Sequence, residues 1–344
     1  MNRLLLIGVA ALVVILALTV WWPWSGRGAG EVVVYTSVDD VFARPIAEAF
    51  QKETGVTVRL VPDTEETKST GLVNRLIAEK NRPQADVFWS GDPVRAEILK
   101  KQGVAKPYRS QQAEGLPPEF SDTEGYWTGF SARARVLIYN TNSIAAVDAP
   151  RSVMDLTDPR FQGRACIANP LFGTTSMHAA ALFAALGEQD ARRFFEDFLA
   201  NDGQLASSNG DVRRLVADGR CALGVTDTDD ANVARMEGKP VEIVYPDAEG
   251  MGTLIIPNAA VLIANGPNPD RGKQFIDYLL RPQTEQALAE SAAAQIPLRG
   301  GVLSPEGVVT LERIHPMDVE YTTLADRLEM LSRGFLKDWV DRAR

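Results

Sequence analysis

The stretch Glu31-Val-Val-Val-Tyr-Thr-Ser37 begins the part of the chain from which the fold class follows. Its apolar and β-branched residues predict a short buried strand. A helical pattern over residues 43–54, closed by Gly55, precedes a second strand at 56–61. Another helix and a third apolar strand follow, at residues 71–80 and 85–89. This βαβαβ order predicts an α/β fold with parallel strands that helices cover on both faces.

The same alternation continues to about residue 300 and predicts a second α/β lobe. Two further apolar strands, at 134–139 and 259–264, are placed to cross between the lobes. We therefore predict two doubly wound lobes and a hinge, divided as lobe one (31–134 plus about 260–300), lobe two (135–259) and a C-terminal helical segment packed on the lobes (301–344). A ligand cleft is expected between the lobes, where loops follow the carboxyl ends of strands.

Composition narrows the class of protein. The chain has 344 residues, 45 % of them hydrophobic, which is enough for a large core in two lobes. Its net charge of −9 argues against nucleic-acid binding, which requires clustered Lys and Arg. The sequence contains no Gly-x-Ser-x-Gly motif, no metal-type His pair and no Gly-rich phosphate loop. We therefore expect a monomer with no enzymatic activity and no cofactor.

The N-terminus predicts the location of the protein. An uncharged apolar run follows Arg3 and ends in two tryptophans. Residues 1–24 are thus either an anchor, held in the cytoplasmic membrane through 4–22, or a cleaved signal peptide. Residues 25–30 are typical of a flexible linker. In both cases the remainder is expected in the periplasm or otherwise outside the cytoplasm, where Cys166 and Cys221 could form a disulfide or could simply be buried thiols.

Four stretches of the chain resemble ferric-ion-type (family 1) extracellular solute-binding proteins of ABC importers. They are residues 31–37, Gln84-Ala-Asp-Val-Phe-Trp89, Ser131-Ala-Arg-Ala-Arg-Val-Leu-Ile-Tyr-Asn140 and Asn209-Gly-Asp-Val-Arg-Arg-Leu-Val-Ala-Asp-Gly-Arg-Cys-Ala-Leu-Gly-Val225. The resemblance implies a type II periplasmic-binding-protein fold whose two lobes close over a small-molecule solute. It also implies an ABC permease, with its ATPase, as the partner that receives the solute.

The chain departs from the ferric branch of that family at the iron-ligand positions. The resemblance places a His after the first strand, a Glu after the strand ending in Asp-Val-Phe, and a Tyr-Tyr pair after a late strand. Here these places fall on Asp39, on Gly91 or Asp92, and on Thr228-Asp229. No Tyr-Tyr pair occurs in the chain, so tyrosinate coordination of iron is not supported. If iron is bound nonetheless, the expected ligands are Asp39, Asp92 and Asp229.

The segment Pro170-Leu-Phe-Gly-Thr-Thr-Ser-Met-His178 is the strongest candidate for a ligand site. Its polar residues open an Ala-rich helix, where backbone N–H groups and hydroxyls can bind an anion: Gly173, Thr174, Thr175 and Ser176. The resemblance implies phosphate or carbonate at this place. The alternative is that Thr174 or Thr175 caps the helix.

The segment Gly224-Val-Thr-Asp-Thr-Asp-Asp230 offers three carboxylates at the end of a predicted strand. Asp227, Thr228 and Asp229 could hold an ammonium group or accept hydroxyl donors, or the carboxylates could coordinate a hard cation. The alternative is that they cap the following helix, since Asp and Thr favour its first turn.

The remaining candidates are polar residues on other strand-end loops. An arginine at the start of the crossing strand could neutralise an anion, and we expect only one of Arg133 and Arg135 to face the cleft. The ligand-binding candidates outside the two segments above are Thr36, Ser37, Asp39, Ser90, Asp92, Arg133 and Asn209.

These features predict a solute-binding component of an ABC transporter. Its solute is expected to be an organic anion or zwitterion, such as a phosphonate or a sugar phosphate, held in the interlobe cleft. One alternative is an iron(III)-binding or iron-complex-binding protein of an iron importer, since carboxylates are hard ligands. Another alternative is a membrane-tethered sensor or adaptor, suggested by the apolar N-terminus and the lack of a lipobox cysteine.

Overall fold

The computed structural model of the chain describes residues 30–63 and 70–343. The predicted anchor or signal peptide at 1–24, and nearly all of the predicted linker, lie outside the described residues. In the described ranges, no helix has both the length and the apolar character needed to cross a membrane.

The described part of the chain contains a mixed sheet of ten strands. They are β1 (Glu31–Thr36), β2 (Thr57–Pro62), β3 (Val87–Ser90), β4 (Ala105–Lys106), β5 (Thr128–Asn140), β6 (Ala165–Ala168), β7 (Gln204–Ala206), β8 (Leu223–Asp227), β9 (Val241–Val244) and β10 (Ile255–Ile263). The spatial order is β2-β1-β3-β10-β5-β8-β6-β7, with β4 paired to β10 and β9 paired to β5.

Helices connect and cover these strands. They are α1 (Asp40–Thr54), α2 (Thr70–Ala78), α3 (Pro93–Lys101), α4 (Gly173–Ala200, broken at Gly187), α5 (Asn209–Ala217), α6 (Thr228–Met236), α7 (Pro269–Leu279), α8 (Pro282–Glu290), α9 (Tyr321–Arg333) and α10 (Phe335–Ala343). Short 3₁₀ helices lie at Gln111–Ala113, Pro118–Phe120, Ala146–Asp148, Val153–Thr157, Pro159–Phe161 and Leu311–Arg313.

The first strands form the parallel arrangement that the apolar pattern predicts. β1 pairs in parallel with β2 on one side and with β3 on the other. Five of its six residues are buried, because helices cover both faces of the sheet. α1 ends at Gly55, which adopts the left-handed conformation that glycine reaches without strain.

The long strand β5 joins two regions of the sheet. Its residues 128–134 pair with β10, and its residues 135–139 pair with β8. The strand therefore changes partner between Ala134 and Arg135, where a crossing is predicted. β10 already pairs with β5 at Ile255, earlier in the chain than the predicted return at about residue 260. The division of the chain into two lobes stays a prediction.

The C-terminal helices are amphipathic and pack on the remainder of the chain. α9 buries Tyr321, Leu324, Leu328 and Leu331, at the spacing of one helix face. It contacts both α3 and α4. The indole N–H of the fully buried Trp339 donates to the carbonyl of Phe195 at 2.8 Å. Residues 301–320, expected to be helical, contain only one short 3₁₀ helix.

Candidate functional site

A cavity of about 640 Å³ lies among the loops at one edge of the sheet. Its walls contain residues that lie at or just after the ends of β1, β6, β7 and β8. They also contain residues of β5 and residues just after α8. β6 is parallel to both β7 and β8, so the carboxyl ends of these three strands reach the same edge. The fold thus brings together segments that are far apart in the sequence.

Nine of the fourteen predicted ligand-binding residues line this cavity. They are Ser37, Asp39, Arg133, Gly173, Thr174, Thr175, Asn209, Asp227 and Asp229. They come from five separate segments, and the sheet brings them to one place.

Five predicted residues lie outside the cavity wall, in buried structural contacts. The Thr36 hydroxyl donates to the carbonyl of Trp89 at 2.9 Å, and the Ser90 hydroxyl donates to the carbonyl of Asp92 at 2.6 Å. The Thr228 hydroxyl accepts a hydrogen bond from the backbone N–H of Ala134 at 3.2 Å. These contacts hold the loops in place, which polar composition alone does not distinguish from ligand binding.

Asp92 and Ser176 are the other two predicted residues outside the cavity wall. Asp92 is the N-cap of α3 and accepts a hydrogen bond from the backbone N–H of Arg95 at 2.9 Å. Ser176 donates to the carbonyl of Gly173 and accepts from the Arg95 guanidinium at 2.8 Å. Of the predicted iron ligands, Asp39 and Asp229 line the cavity, whereas Asp92 lies outside its wall.

The start of α4 opens into the cavity without a side-chain cap. Its N-cap residue is Phe172, which has no side chain able to cap, and no side-chain cap hydrogen bond is formed. Gly173 adopts a φ of 53°, which favours glycine. Thr174 and Thr175 lie inside the helix rather than at its N-cap position, and their hydroxyls donate to the side chains of Asp227 at 2.6 Å and Asn209 at 3.0 Å.

Asp227 is held between two arginines of β5. One carboxylate oxygen accepts from Arg135 at 2.7 Å, and the other accepts from Arg133 at 3.1 Å. Arg133 also lies 3.5 Å from Asp229 and donates to the carbonyl of Gly91. Arg135 is completely buried and reaches Asn209 at 3.0 Å. A buried network of charges therefore joins β5, β8 and the start of α5 beneath the cavity.

The expectation that only one of the two arginines faces the cleft was based on a wrong assumption about how side chains alternate along a strand. Strand side chains alternate, so residues two apart, such as 133 and 135, lie on the same face. Both guanidiniums accordingly reach Asp227. Only Arg133 lines the cavity, because Arg135 lies deeper beneath it.

The network sets the charge of its members. Burial raises the pKa of the Asp227 carboxyl, but Arg135 and Arg133 outweigh burial and hold this pKa below its usual range. Burial likewise lowers the pKa of Arg133, yet Asp229 and Asp227 outweigh it and the pKa is raised. We infer that Asp227 is a carboxylate whose charge the protein itself neutralises.

The carboxylates at the start of α6 lie close together. Asp227, Asp229 and Asp230 each offer an oxygen within 4.8 Å of the others. Asp229 accepts from the backbone N–H of Asp230 at 3.0 Å, which is a first-turn contact of the helix. Asp227, the N-cap residue of α6, makes no side-chain cap hydrogen bond, so capping stays a prediction for the other carboxylates of this cluster.

Three other predicted features are buried away from the cavity. Burial and the nearby Arg135 lower the pKa of His178 to about 3, so its imidazole is neutral. Cys166 and Cys221 are buried free thiols. An added Cβ at Gly224 would lie 2.8 Å from the carbonyl oxygen of Cys166 and 2.6 Å from Val212, so close packing requires glycine there.

Sequence reasoning missed part of the cavity wall. The additional lining residues are Val41, Phe42, Ala168, Asn169, Phe172, Ser207, Ser208, Gly210, Arg213, Arg214, Val233, Ser291 and Ala292, while Asp230 belongs to the predicted segment 224–230. The polar run at 207–209 directly follows β7, whose three residues are too few to show a strand pattern. Arg213 lies four residues after Asn209 on α5, and this spacing was the signal available for it.

Comparison with known proteins shows the family. Residues 82–312 match the family model of bacterial extracellular solute-binding proteins, which is more than half of the chain. The chain belongs to this family, and the predicted resemblance is confirmed. It is a solute-binding protein of an ABC transporter rather than an enzyme. The family is extracellular, in agreement with the predicted location outside the cytoplasm.

Relatives within this family differ in what they bind. The chain is similar to "Iron uptake protein A1" of Synechocystis sp., with 26 % identity over 287 residues, 78 % of this chain and 76 % of that one. It is also similar to the "Putative 2-aminoethylphosphonate-binding periplasmic protein" of Salmonella typhimurium, with 28 % identity over 262 residues, 74 % of this chain and 73 % of that one.

A solved structure confirms the predicted fold class. The periplasmic binding protein AfuA from Actinobacillus pleuropneumoniae, with exogenous fructose-6-phosphate bound, matches with a TM-score of 0.80 at 23 % identity. The match covers 91 % of this chain and 98 % of that one. The fold is that of a type II periplasmic binding protein.

Proposed function

We propose that the cavity binds a small organic anion or zwitterion that carries a phosphonate or phosphate group, for delivery to an ABC permease. The observation that carries this proposal is the uncapped start of α4. Gly173, Thr174 and Thr175 line the cavity there, and no side chain within residues 30–63 and 70–343 caps the helix. Free first-turn N–H groups and the positive end of the helix dipole favour an anion.

The charges around the cavity support a zwitterion. Asp227 is neutralised by Arg133 and Arg135, so its carboxylate does not repel an anion at the start of α4. Asp39 and Asp230 lie on the walls formed by the β1 loop and by α6, and their carboxylates suit an ammonium group. A volume of about 640 Å³ lies within the usual range for small-molecule sites.

Iron is the second candidate, favoured by the clustered carboxylates of Asp227, Asp229 and Asp230. The similarity to an iron uptake protein also supports it. Two contacts oppose it. Arg133 pairs with both Asp227 and Asp229, and Arg135 pairs with Asp227 as well, so a ferric ion would have to displace buried guanidiniums from their carboxylates.

Calorimetric titration of the full-length protein tests the proposal. The solutes are 2-aminoethylphosphonate, fructose 6-phosphate and ferric citrate. We expect saturable binding of at least one phosphorus-containing solute. Replacing Thr174 and Thr175 together by Ala should weaken that binding about 10-fold, because their hydroxyls tie the start of α4 to Asp227 and Asn209 and so position its backbone N–H groups.

The matched control is Thr141→Ala, which removes an exposed hydroxyl outside the cavity and should leave affinity unchanged. Binding of ferric citrate alone, abolished by Asp229→Asn, would contradict the proposal and establish the iron alternative.

We further infer that the chain divides into the two predicted lobes, which close about β5 and β10 while the protein remains monomeric. Ligand binding would favour the closed population. Residues 4–22 either anchor the protein on the outer side of the cytoplasmic membrane or are removed with a signal peptide. N-terminal sequencing of the protein recovered from cells distinguishes these outcomes, since an anchored protein retains residues 4–22.

A further inference from the structure

Three arginines in the described part of the chain line the cavity, and two of them are already paired. Arg133 pairs with Asp227 and Asp229, and Arg214 pairs with Asp211 at 3.2 Å. Arg213 forms no hydrogen bond or ion pair with the residues that the structure describes. Among the described arginines of the wall, Arg213 is therefore the one whose guanidinium is available to an incoming ligand.

The position of Arg213 directs it toward the start of α4. Arg213 and Asn209 are four residues apart on α5 and so share one face of that helix. Asn209 contacts Thr174 at 2.8 Å and Thr175 at 3.0 Å. Helical side chains also lean toward the N-terminus of their helix, which at α5 borders the cavity.

We propose that Arg213 determines the headgroup specificity of this site and selects solutes with a doubly charged phosphonate or phosphate group over singly charged analogues. The inference rests on the proposed function and assigns a residue to its selectivity. A guanidinium binds two oxygens of such a group with parallel hydrogen bonds. The uncapped start of α4 adds about half a positive charge, so a doubly charged group gains more from this part of the cavity than a singly charged one.

The test compares three solutes that differ only in the headgroup. They are 2-aminoethylphosphonate, 2-aminoethanesulfonate and 3-aminopropanoate, titrated calorimetrically into the full-length protein. The wild type should bind the phosphonate more tightly than both other solutes. Arg213→Gln should weaken phosphonate binding about 10- to 100-fold, while changing the affinities for the other two by a much smaller factor.

Two further variants complete the test. Arg213→Lys keeps the charge without the two-pronged geometry and should fall between wild type and Arg213→Gln. Arg220→Gln is the matched control, because it removes an exposed arginine that does not line the cavity, and it should leave the preference unchanged. Unfolding midpoints of all variants establish that each is folded.

The outcomes separate the two proposals. If the wild type binds the phosphonate and Arg213→Gln retains the same preference, the role of Arg213 is overturned and the proposed function stands. If the wild type binds neither fructose 6-phosphate nor any of the three solutes, the proposed function is wrong, and the proposed role of Arg213 is wrong with it.

Discussion

The 170–176 loop and the 226–230 loop form similar parts of the fold but present different chemistry to the cavity. Each leaves a strand of the sheet and begins a helix, and each lines the cavity. The 226–230 loop carries three carboxylates, whereas the 170–176 loop carries no charge. Yet Asp227 is neutralised by two arginines, while the start of α4 has no side-chain cap.

This difference shows that the availability of a charge depends on its neighbours in space. The arginines that pair with Asp227 come from β5, more than ninety residues earlier in the chain. Removing two charges from water is costly, so a buried ion pair persists only when its partners remain together. Asp227 thus acts mainly as a counterion that joins β8 to β5, and the anion site proposed above lies at the uncharged loop.

The variant Asp227→Ala is the strongest test of this comparison between the 170–176 and 226–230 loops. It would leave Arg135 and Arg133 buried without their shared carboxylate, and we expect the free energy of unfolding to fall by about 3–5 kcal/mol. Denaturant unfolding measures the change. Asp270→Ala is the control, since its exposed pair with Lys273 should contribute less than about 1 kcal/mol. Equal, small effects in both variants would show that Asp227 is not a structural counterion.

The pH dependence of the free energy of unfolding tests the burial of His178, which lies in α4 behind the 170–176 loop. Burial and Arg135 lower the pKa of His178 to about 3 from an ordinary value of 6.5. The unfolded chain therefore binds a proton that the folded chain does not, and stability is lost as pH falls from about 6.5 toward 3. Between about pH 7.5 and pH 5 we expect His178 to account for a loss of about 2 kcal/mol.

Denaturant titrations of the wild type and His178→Gln at both pH values measure this contribution. The variant should lose that much less stability on acidification, while His315, present in both proteins, cancels from the difference. A variant with the same pH dependence as the wild type would show that His178 does not resist protonation.

The smallest expected effect concerns the backbone of the 170–176 loop. Gly173 has a positive φ, but an added Cβ would meet nothing within 4 Å. Gly173→Ala should therefore destabilise the protein by about 1 kcal/mol through conformational strain alone. Gly173→Asn should cost less, because Asn tolerates this conformation better. Thermal unfolding of both variants measures the order, and a larger loss for Asn would contradict the conformational explanation.

Much of the fold could be predicted because its signals are local. The run of β-branched residues in β1 and the closing Gly55 follow from steric preferences within a few residues. The crossing strand was also predicted, although only its second half, because the polar residues of 128–133 interrupt the apolar run.

The candidate site was predicted less completely. The expectation that ligand-binding residues follow the carboxyl ends of strands identified nine residues that line the cavity. It did not distinguish these lining residues from residues that hold the loops in place, such as Asp92 at the start of α3. Arg213 was missed because it lies within a helix rather than in a loop at its start.

The sequence by itself determined the α/β class and the loops that reach the cavity, because apolar periodicity and turn residues act over short distances. It indicated the family through the resemblance of four stretches of the chain. Only the tertiary structure decided which charges remain available there. Asp227 is neutralised because β5 and β8 are neighbours in the sheet, and Arg213 faces the cavity without a partner among the described residues because of how α5 is placed. Electrostatic pairing depends on distances of a few ångströms between segments remote in the chain, and packing sets those distances.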